Sequence, residues 1–253
     1  MGPRLIPNAK YQILNIHCNE SPRWLSNLYQ KNSRVHLLLA PLRHRLVAWR
    51  NLASRDELHQ AWGTTAANRR PALLQALATL VPDARDLKIL SFGCSTGEEL
   101  QDLRRYYPTA TLLGTDLNRA SLREAQTKAV ACRAALFAST DEGLRQHGPF
   151  NLIVACSVFI RHPEDTLTDD LRAMYPLESF SKGVTRLFDN LVVGGHMLIH
   201  NANYRVMDTR LAPCLEVVRH DHVVQSSQVP LFESNGKKST ILRYEDQLFR
   251  RTQ

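Results

Sequence analysis

The residues best suited to chemistry lie in the stretch KILSFGCSTGEEL, positions 88–100. An apolar run there ends in a loop holding Gly93 and Gly97, and a helical pattern follows. Glycine lets the backbone turn where a side chain would block it, and the first turn of a helix leaves its N–H groups without intrahelical partners. A loop of this kind can lie flat against a nucleoside. Twenty-three positions after Gly93, the run LLGTDLN sets Asp116 at the end of the next apolar segment. A carboxylate there can accept both hydrogen bonds of a ribose diol. An aspartate at a strand end is more often a helix cap, a role open to Asp116 or Asn118, and the glycine loop upstream favours the ribose. FGCSTG has no middle glycine of the GxGxxG kind, which disfavours a dinucleotide, and no GK[ST] follows for a Walker loop.

These residues need a frame that brings strand ends together. From about Asp86 onward, short β-rich apolar runs alternate with helical patterns, the signature of a doubly wound, Rossmann-like α/β sheet covered on both faces. The expected strands are Leu87–Phe92, Thr111–Thr115, Ala135–Ala138, Asn151–Cys156 and His196–His200, the last entered by a turn at Gly194 and Gly195. Leu215–Val218 and Gln247–Arg250 supply an antiparallel pair, giving about seven strands, mostly parallel. Helices are expected over Glu98–Tyr106, Arg119–Val130 and roughly Pro176–Asn190. In the second of these, Leu122, Ala125, Ala129 and Val130 form the apolar stripe. Residues 1–85 read as a mainly helical N-terminal cap, with helices over Pro22–Gln30 and Pro71–Leu80 and a strand over Tyr11–His17. Pro82 and Asp83 mark its junction with the sheet domain, residues 86–253. Residues 207–238 give no clear periodicity.

The glycine loop GCSTGEE, together with ATLLGTDLNRASLREAQ, FNLIVACSVFIRH and LVVGGHMLIH, resembles the chemotaxis-receptor glutamate methyltransferases, over about residues 60–205. The resemblance implies a class I methyltransferase fold and S-adenosylmethionine as cofactor. It implies a cofactor site built from Gly93, Cys94, Ser95 and Gly97, with Glu99 at the methionine end, Asp116 and Leu117 at the ribose, and Ser139 with Thr140 at the adenine. Cys156 and Ser157 would line the pocket from the end of the fourth strand. WGTTAANRR is spaced like the family's N-terminal segment in which a threonine and an arginine contact the cofactor, which brings in Thr65 and Arg69. An arginine suits the α-carboxylate of the methionine end, being permanently charged and able to bind in bidentate fashion. The chain also departs from the family. Cys156-Ser157 stands where the family has an Arg-Asn pair, Arg161-His162 replaces an aromatic pair, and there is no obvious inserted β-subdomain for docking on receptors. The residues facing the methyl acceptor are therefore different, and the acceptor is expected to be a small molecule methylated on oxygen or nitrogen.

Methyl transfer is an in-line displacement that asks mainly for alignment and exclusion of water. For a hydroxyl or protonated amine a base helps, and His162 is the candidate, with His200 and Tyr204 as alternatives. For a carboxylate no base is needed, and Arg161 is the residue to bind the anion. The chain has 253 residues, 43% hydrophobic and 22% charged, enough for a sizeable core and without a compositional sign of disorder. No apolar run reaches the roughly 18 residues of a membrane span, and the start has no apolar signal core, so a cytoplasmic, membrane-free protein is expected. Five widely spaced cysteines without CxxC argue against both a disulfide framework and a metal site. The net charge of +8 favours an acidic partner without naming one. Arg34, Arg43, His44, Arg45, Arg50, Arg55, Arg69 and Arg70, interleaved with Trp24, Trp49 and Trp62, make nucleic acid the less favoured alternative to a solvated helical face, and an RNA- or protein-modifying methyltransferase that docks through this face is the second reading. A descendant that keeps the fold but does not methylate is a third reading.

Overall fold

The computed structural model describes residues 65–161, 169–224, 229–241 and 243–253. The chain divides into two compact units, 1–46 and 47–253, and every described residue belongs to the second. The expected helix Pro22–Gln30, the strand Tyr11–His17, the three tryptophans and the basic residues up to Arg55 lie outside the described residues, as does His162.

The elements are α1 (Pro71–Leu80), β1 (Lys88–Phe92), α2 (Glu98–Tyr106), β2 (Thr111–Asp116), α3 (Arg119–Ala131), β3 (Ala134–Ala138), α4 (Asp141–His147), β4 (Phe150–Cys156), α5 (Leu177–Phe188), β5 (Leu191–His200), β6 (Leu215–Val218) and β7 (Leu248–Arg251). They build one seven-stranded sheet in the order β3-β2-β1-β4-β5-β7-β6. The first five strands run parallel, and β7 pairs antiparallel with both β5 and β6. This is the doubly wound, Rossmann-like architecture expected from the alternation of patterns.

Alternate residues of each central strand enter opposite layers of the core. Leu90, Ile153, Met197 and Ile199 join Phe180, Val184 and Leu187 of α5 on one face. Ile89, Leu152, Val154 and Leu198 join Leu74 and Leu77 of α1 and Leu100 and Leu103 of α2 on the other. A strand buried on both faces needs apolar residues at every position, which is why these strands read as unbroken apolar runs. Helix α1, the described helix of the expected N-terminal cap, thus shares its core with the sheet.

The chain order reverses beside β1: β2 and β3 are laid down on one side of it, β4 and β5 on the other. The loops from the carboxyl ends of β1 and β4 lead to α2 and α5 on opposite faces of the sheet, and this reversal point is the usual ligand position in open α/β sheets.

Three expectations differ from the structure. Gly194 and Gly195 lie inside β5, where the pairing with β4 jumps from Phe150↔Leu191 to Leu152↔His196, so the two glycines form a bulge that bends one strand. Val130 is 67% exposed, and the buried side of α3 is Ala125 and Ala129. Helix α4 was not expected; its seven residues bury one leucine, Leu144, too short a pattern to register.

Leu90 is fully buried at the centre of β1. Leu90→Ala is expected to cost about 2–5 kcal/mol by removing packed atoms and leaving a void, read as a lower urea midpoint with an unchanged slope.

Candidate functional site

The loop between β1 and α2 is fixed by its backbone. Gly93 and Cys94 both donate to the Thr115 carbonyl, at 2.8 and 3.0 Å, and Gly97 donates to the Cys94 carbonyl at 3.0 Å. Gly93 has φ +78, and a Cβ there would come within 2.6 Å of Val158 Cγ2 on the loop after β4. Only glycine allows the two loops to meet so closely at the switch point. Gly97 also has positive φ, and as the N-cap of α2 it offers no side chain to occupy the helix's first N–H groups.

Asp116 closes this loop from β2. Its Oδ2 accepts from the Ser95 amide at 2.9 Å and its Oδ1 from the Asn118 amide at 2.8 Å. A carboxylate has about four lone-pair sites, so it keeps capacity to accept beyond these backbone bonds. Burial pushes its carboxyl upward, opposed by those backbone donors. The capping role falls to Asn118, whose side chain accepts from Ala120 and Ser121 at the start of α3. Leu117 is exposed beside Asp116.

At the end of β3, Ser139 is buried and its hydroxyl has no hydrogen-bond partner among the described residues. Thr140 is the N-cap of α4, its Oγ1 accepting from Gly143 at 3.0 Å.

On the opposite side, Glu99 sits in the first turn of α2, and its Oε1 accepts from the Ser91 hydroxyl at 2.8 Å. The Cys156 thiol also bonds to Glu99. Burial raises the Glu99 carboxyl above its ordinary range, with Ser91, Arg70 and Cys156 acting against it. Burial, followed by the charge of Glu99, also pushes the Cys156 thiol well up, so it is a neutral thiol and not a nucleophile. Thr65, Arg69, Arg70, Glu99, Asp102 and Cys156 line one small cavity. Four of these are residues the sequence singled out: Thr65, Arg69, Glu99 and Cys156.

Arg70 reaches across to Ser157, its Nη2 donating to Oγ at 2.8 Å, and Asn201 Nδ2 donates to the same oxygen at 3.3 Å. Ser95, Ser157 and Asn201, at the ends of β1, β4 and β5, all have positive φ, a strained conformation for a residue with a side chain. Strain of this kind collects at functional sites, where the surrounding structure holds it.

Arg161 is 2% exposed, its guanidinium 4.7 Å over the ring of Tyr175 and its backbone N–H donating to Asn203 Oδ1. It braces the loop after β4 within an aromatic cluster.

Sequence reasoning missed Ser91, Arg70 and Asn201. Ser91 carried a signal, being a polar residue inside an otherwise apolar strand that must find a partner. Arg70 follows Arg69, and sequence alone does not say which of the two turns inward.

Residues 89–177 match the family model described as a methyltransferase domain. The matched stretch is 89 of the 253 residues. It spans β1 to the start of α5, so the glycine loop, Asp116, Ser139 and Cys156 all lie inside it. The matching family is the general methyltransferase domain, and the expected likeness to the chemotaxis-receptor type finds no support. No curated protein matches the chain.

Among solved structures, the chain is similar to TehB from Haemophilus influenzae, with 12% identity, TM-score 0.46, and coverage of 76% of this chain and 65% of that one. It is similar to TrmN from Thermus thermophilus, with 16% identity, TM-score 0.44, and coverage of 72% and 48%. It is also similar to PKMT2 from Rickettsia typhi in complex with AdoHcy, with 20% identity, TM-score 0.37, and coverage of 51% and 24%. The chain thus spans less than two thirds of the length of each of these structures.

Among the described residues, no helix is long and apolar enough to cross a membrane, and no cluster of three or more His, Cys, Asp or Glu is placed to hold a metal ion.

Because folding raises the Glu99 carboxyl, the folded state binds its proton more tightly than the unfolded chain does. The stability tied to this group is complete below the unfolded value, about 4.3, and is lost as pH rises through the folded value. Glu99→Gln keeps the acceptor for Ser91 and removes that loss. Urea midpoints measured from about pH 4 to about pH 8 are expected to show the variant gaining on the wild type as pH rises. Parallel profiles would mean that the carboxylate sits there without penalty.

Proposed function

We propose that the domain binds S-adenosylmethionine in the crevice at the carboxyl ends of β1, β2 and β4 and transfers its methyl group to oxygen or nitrogen of a small acceptor. The observation that carries this reading is the closure of the glycine loop onto Asp116 at the switch point of a matched methyltransferase stretch. The residues fit the cofactor's parts. Gly93 and Gly97, with Cys94 and Ser95, give the nucleoside a surface free of side chains at its closest approach. Asp116 keeps capacity to accept from the ribose hydroxyls, and Leu117 offers an apolar edge beside it. Ser139 brings a buried hydroxyl in want of a partner, as an adenine would supply. Thr140 is next to it, with its side chain engaged in capping.

At the other end, Glu99 faces the cationic amino-acid portion, and Arg69 is a bidentate donor for the α-carboxylate. Thr65, Cys156 and Ser157 complete the wall. The cofactor supplies a methyl carbon activated by sulfonium sulfur. The chain's own part is to align the acceptor with that carbon and to keep water out. His162, next to the bracing Arg161, is the candidate base for an acceptor that must lose a proton, and Arg161 is the candidate partner for an anionic one.

Calorimetric titration of the full chain with S-adenosylmethionine tests the reading. Micromolar binding is expected, weakened at least tenfold, about 1.4 kcal/mol, in each of Asp116→Ala and Arg69→Ala. A folded wild-type protein that binds none would overturn it.

A further inference from the structure

The sheet has two edges, β6 and β3, and they are guarded differently. β6 starts just after Pro213 and carries Glu216, an exposed carboxylate paired with Arg250 of β7. Charge and proline at an edge discourage a further strand from adding there. β3 is the run AALFA, with no charge, no proline and an unbroken register against β2. Val130, in the last turn of the helix that leads into it, is 67% exposed.

The hydrogen bonds of β2 and β3 show which groups this edge offers. The Thr115 carbonyl accepts from Gly93 and Cys94 and so faces β1, while the next carbonyl, that of Asp116, accepts from the Ser139 amide at 3.4 Å. The Phe137 carbonyl faces the same way, accepting from the Thr115 hydroxyl at 2.9 Å. Successive residues of a strand turn their backbone groups to opposite sides, so Ala135, Phe137 and Ser139 serve β2, and Ala134, Leu136 and Ala138 turn outward. Two of the outward groups are engaged: the Ala138 carbonyl accepts from Thr140 at 2.7 Å, and the Ala134 amide is drawn to the Cys132 sulfur. Both backbone groups of Leu136, the Ala138 N–H and the Ala134 carbonyl have no partner among the described residues.

These groups complement themselves about a two-fold axis, and we infer that β3 pairs antiparallel with β3 of a second copy of this chain, centred on Leu136. In an antiparallel pair, opposite residues exchange both bonds, which identical strands can do about a two-fold; the slanted bonds of a parallel pair cannot be shared so evenly. Leu136 then bonds to Leu136 of the other copy, and each Ala138 N–H meets the Ala134 carbonyl opposite. The two Leu136 side chains meet on the face that carries α3 and Val130. On the other face, Ala135, exposed in the single chain, lies opposite Phe137 of the second copy. A two-fold contact is closed, so the dimer covers both β3 edges and offers none for further growth there.

Charge agrees with this alignment. Arg133 is exposed, and its side chain makes no hydrogen bond or ion pair among the described residues. The pairing sets it opposite Ser139 of the other copy, close to Asp141 and Glu142 in the first turn of α4, whose side chains are 70% and 84% exposed. The axis makes the contact twice. Opposite charges placed across an interface favour the correct partner and hold its register.

Analytical ultracentrifugation of the full chain, from micromolar to several hundred micromolar protein, tests the inference. A monomer–dimer equilibrium is expected, with the Leu136 and Ala138 amides exchanging more slowly with deuterium as the dimer fills. Arg133→Glu and Glu142→Lys, both at exposed positions, each turn the two attractive contacts into repulsive ones. Each is expected to weaken the dimer at least about tenfold. Mixed in equal amounts, the two variants are expected to associate again, because in the mixed dimer both contacts pair opposite charges. A chain that stays monomeric over the whole range overturns the inference, as does a dimer that both substitutions leave intact or a pair of folded variants that do not associate when mixed. Amide exchange in the unmodified chain decides the matter should a variant fail to fold: rates at Leu136 and Ala138 that ignore protein concentration overturn it.

Discussion

The Asp116 carboxylate is the tie on which the crevice depends. It sits at the end of β2 and takes the Ser95 amide from the loop after β1, so two neighbouring strand ends are joined by one charge-assisted hydrogen bond. With that bond made, Ser95 is held in its strained conformation, Gly93 is pressed against Val158, and α2 starts where its free amides face the crevice. The same carboxylate then takes the Asn118 amide and helps fix the start of α3. Geometry at three element ends follows from a single side chain that gathers several backbone amides.

Charge is distributed unevenly around this tie. The end of β2 holds one buried carboxylate, Asp116. The small cavity beside α2 holds Glu99, two arginines and a thiol that burial keeps neutral. Glu99 is screened from water, so its carboxyl is under pressure to take up a proton in the free protein. A cation beside it would relieve that pressure. Toward β5 the sign reverses, because Arg70 and Arg69 act on a histidine that has no negative neighbour in its immediate charged set.

Much of this was legible in the sequence because the physical signals were local. Unbroken apolar runs identified doubly buried strands, and the glycine loop followed by Asp116 identified the crevice. Helices α1 and α2 begin and end where the pattern placed them. Longer-range facts were not legible. The pairing that makes Gly194 and Gly195 a bulge needs β4 beside them, and Thr140 is engaged in capping only because a short helix, invisible in periodicity, begins there. Arg161 shows charge in the sequence, yet its burial over Tyr175 depends on a partner fourteen residues further along the chain. Whether Arg69 or Arg70 turns toward Ser157 depends on the exit angle of a single turn before α1.

The order β5-β7-β6 has a consequence for how the polypeptide is made. β6 is synthesised before β7, yet β7 is its partner in the sheet and stands between it and β5. Until β7 leaves the ribosome, β6 has no place to dock and the open edge of β5 stays unpaired. An unpaired edge is a template for other chains, and pairing that waits for a distant segment is slow. The interval in which a nascent chain is most prone to aggregate therefore falls between the emergence of β5 and that of β7, after the parallel strands have been made and before β7 covers the open edge of β5.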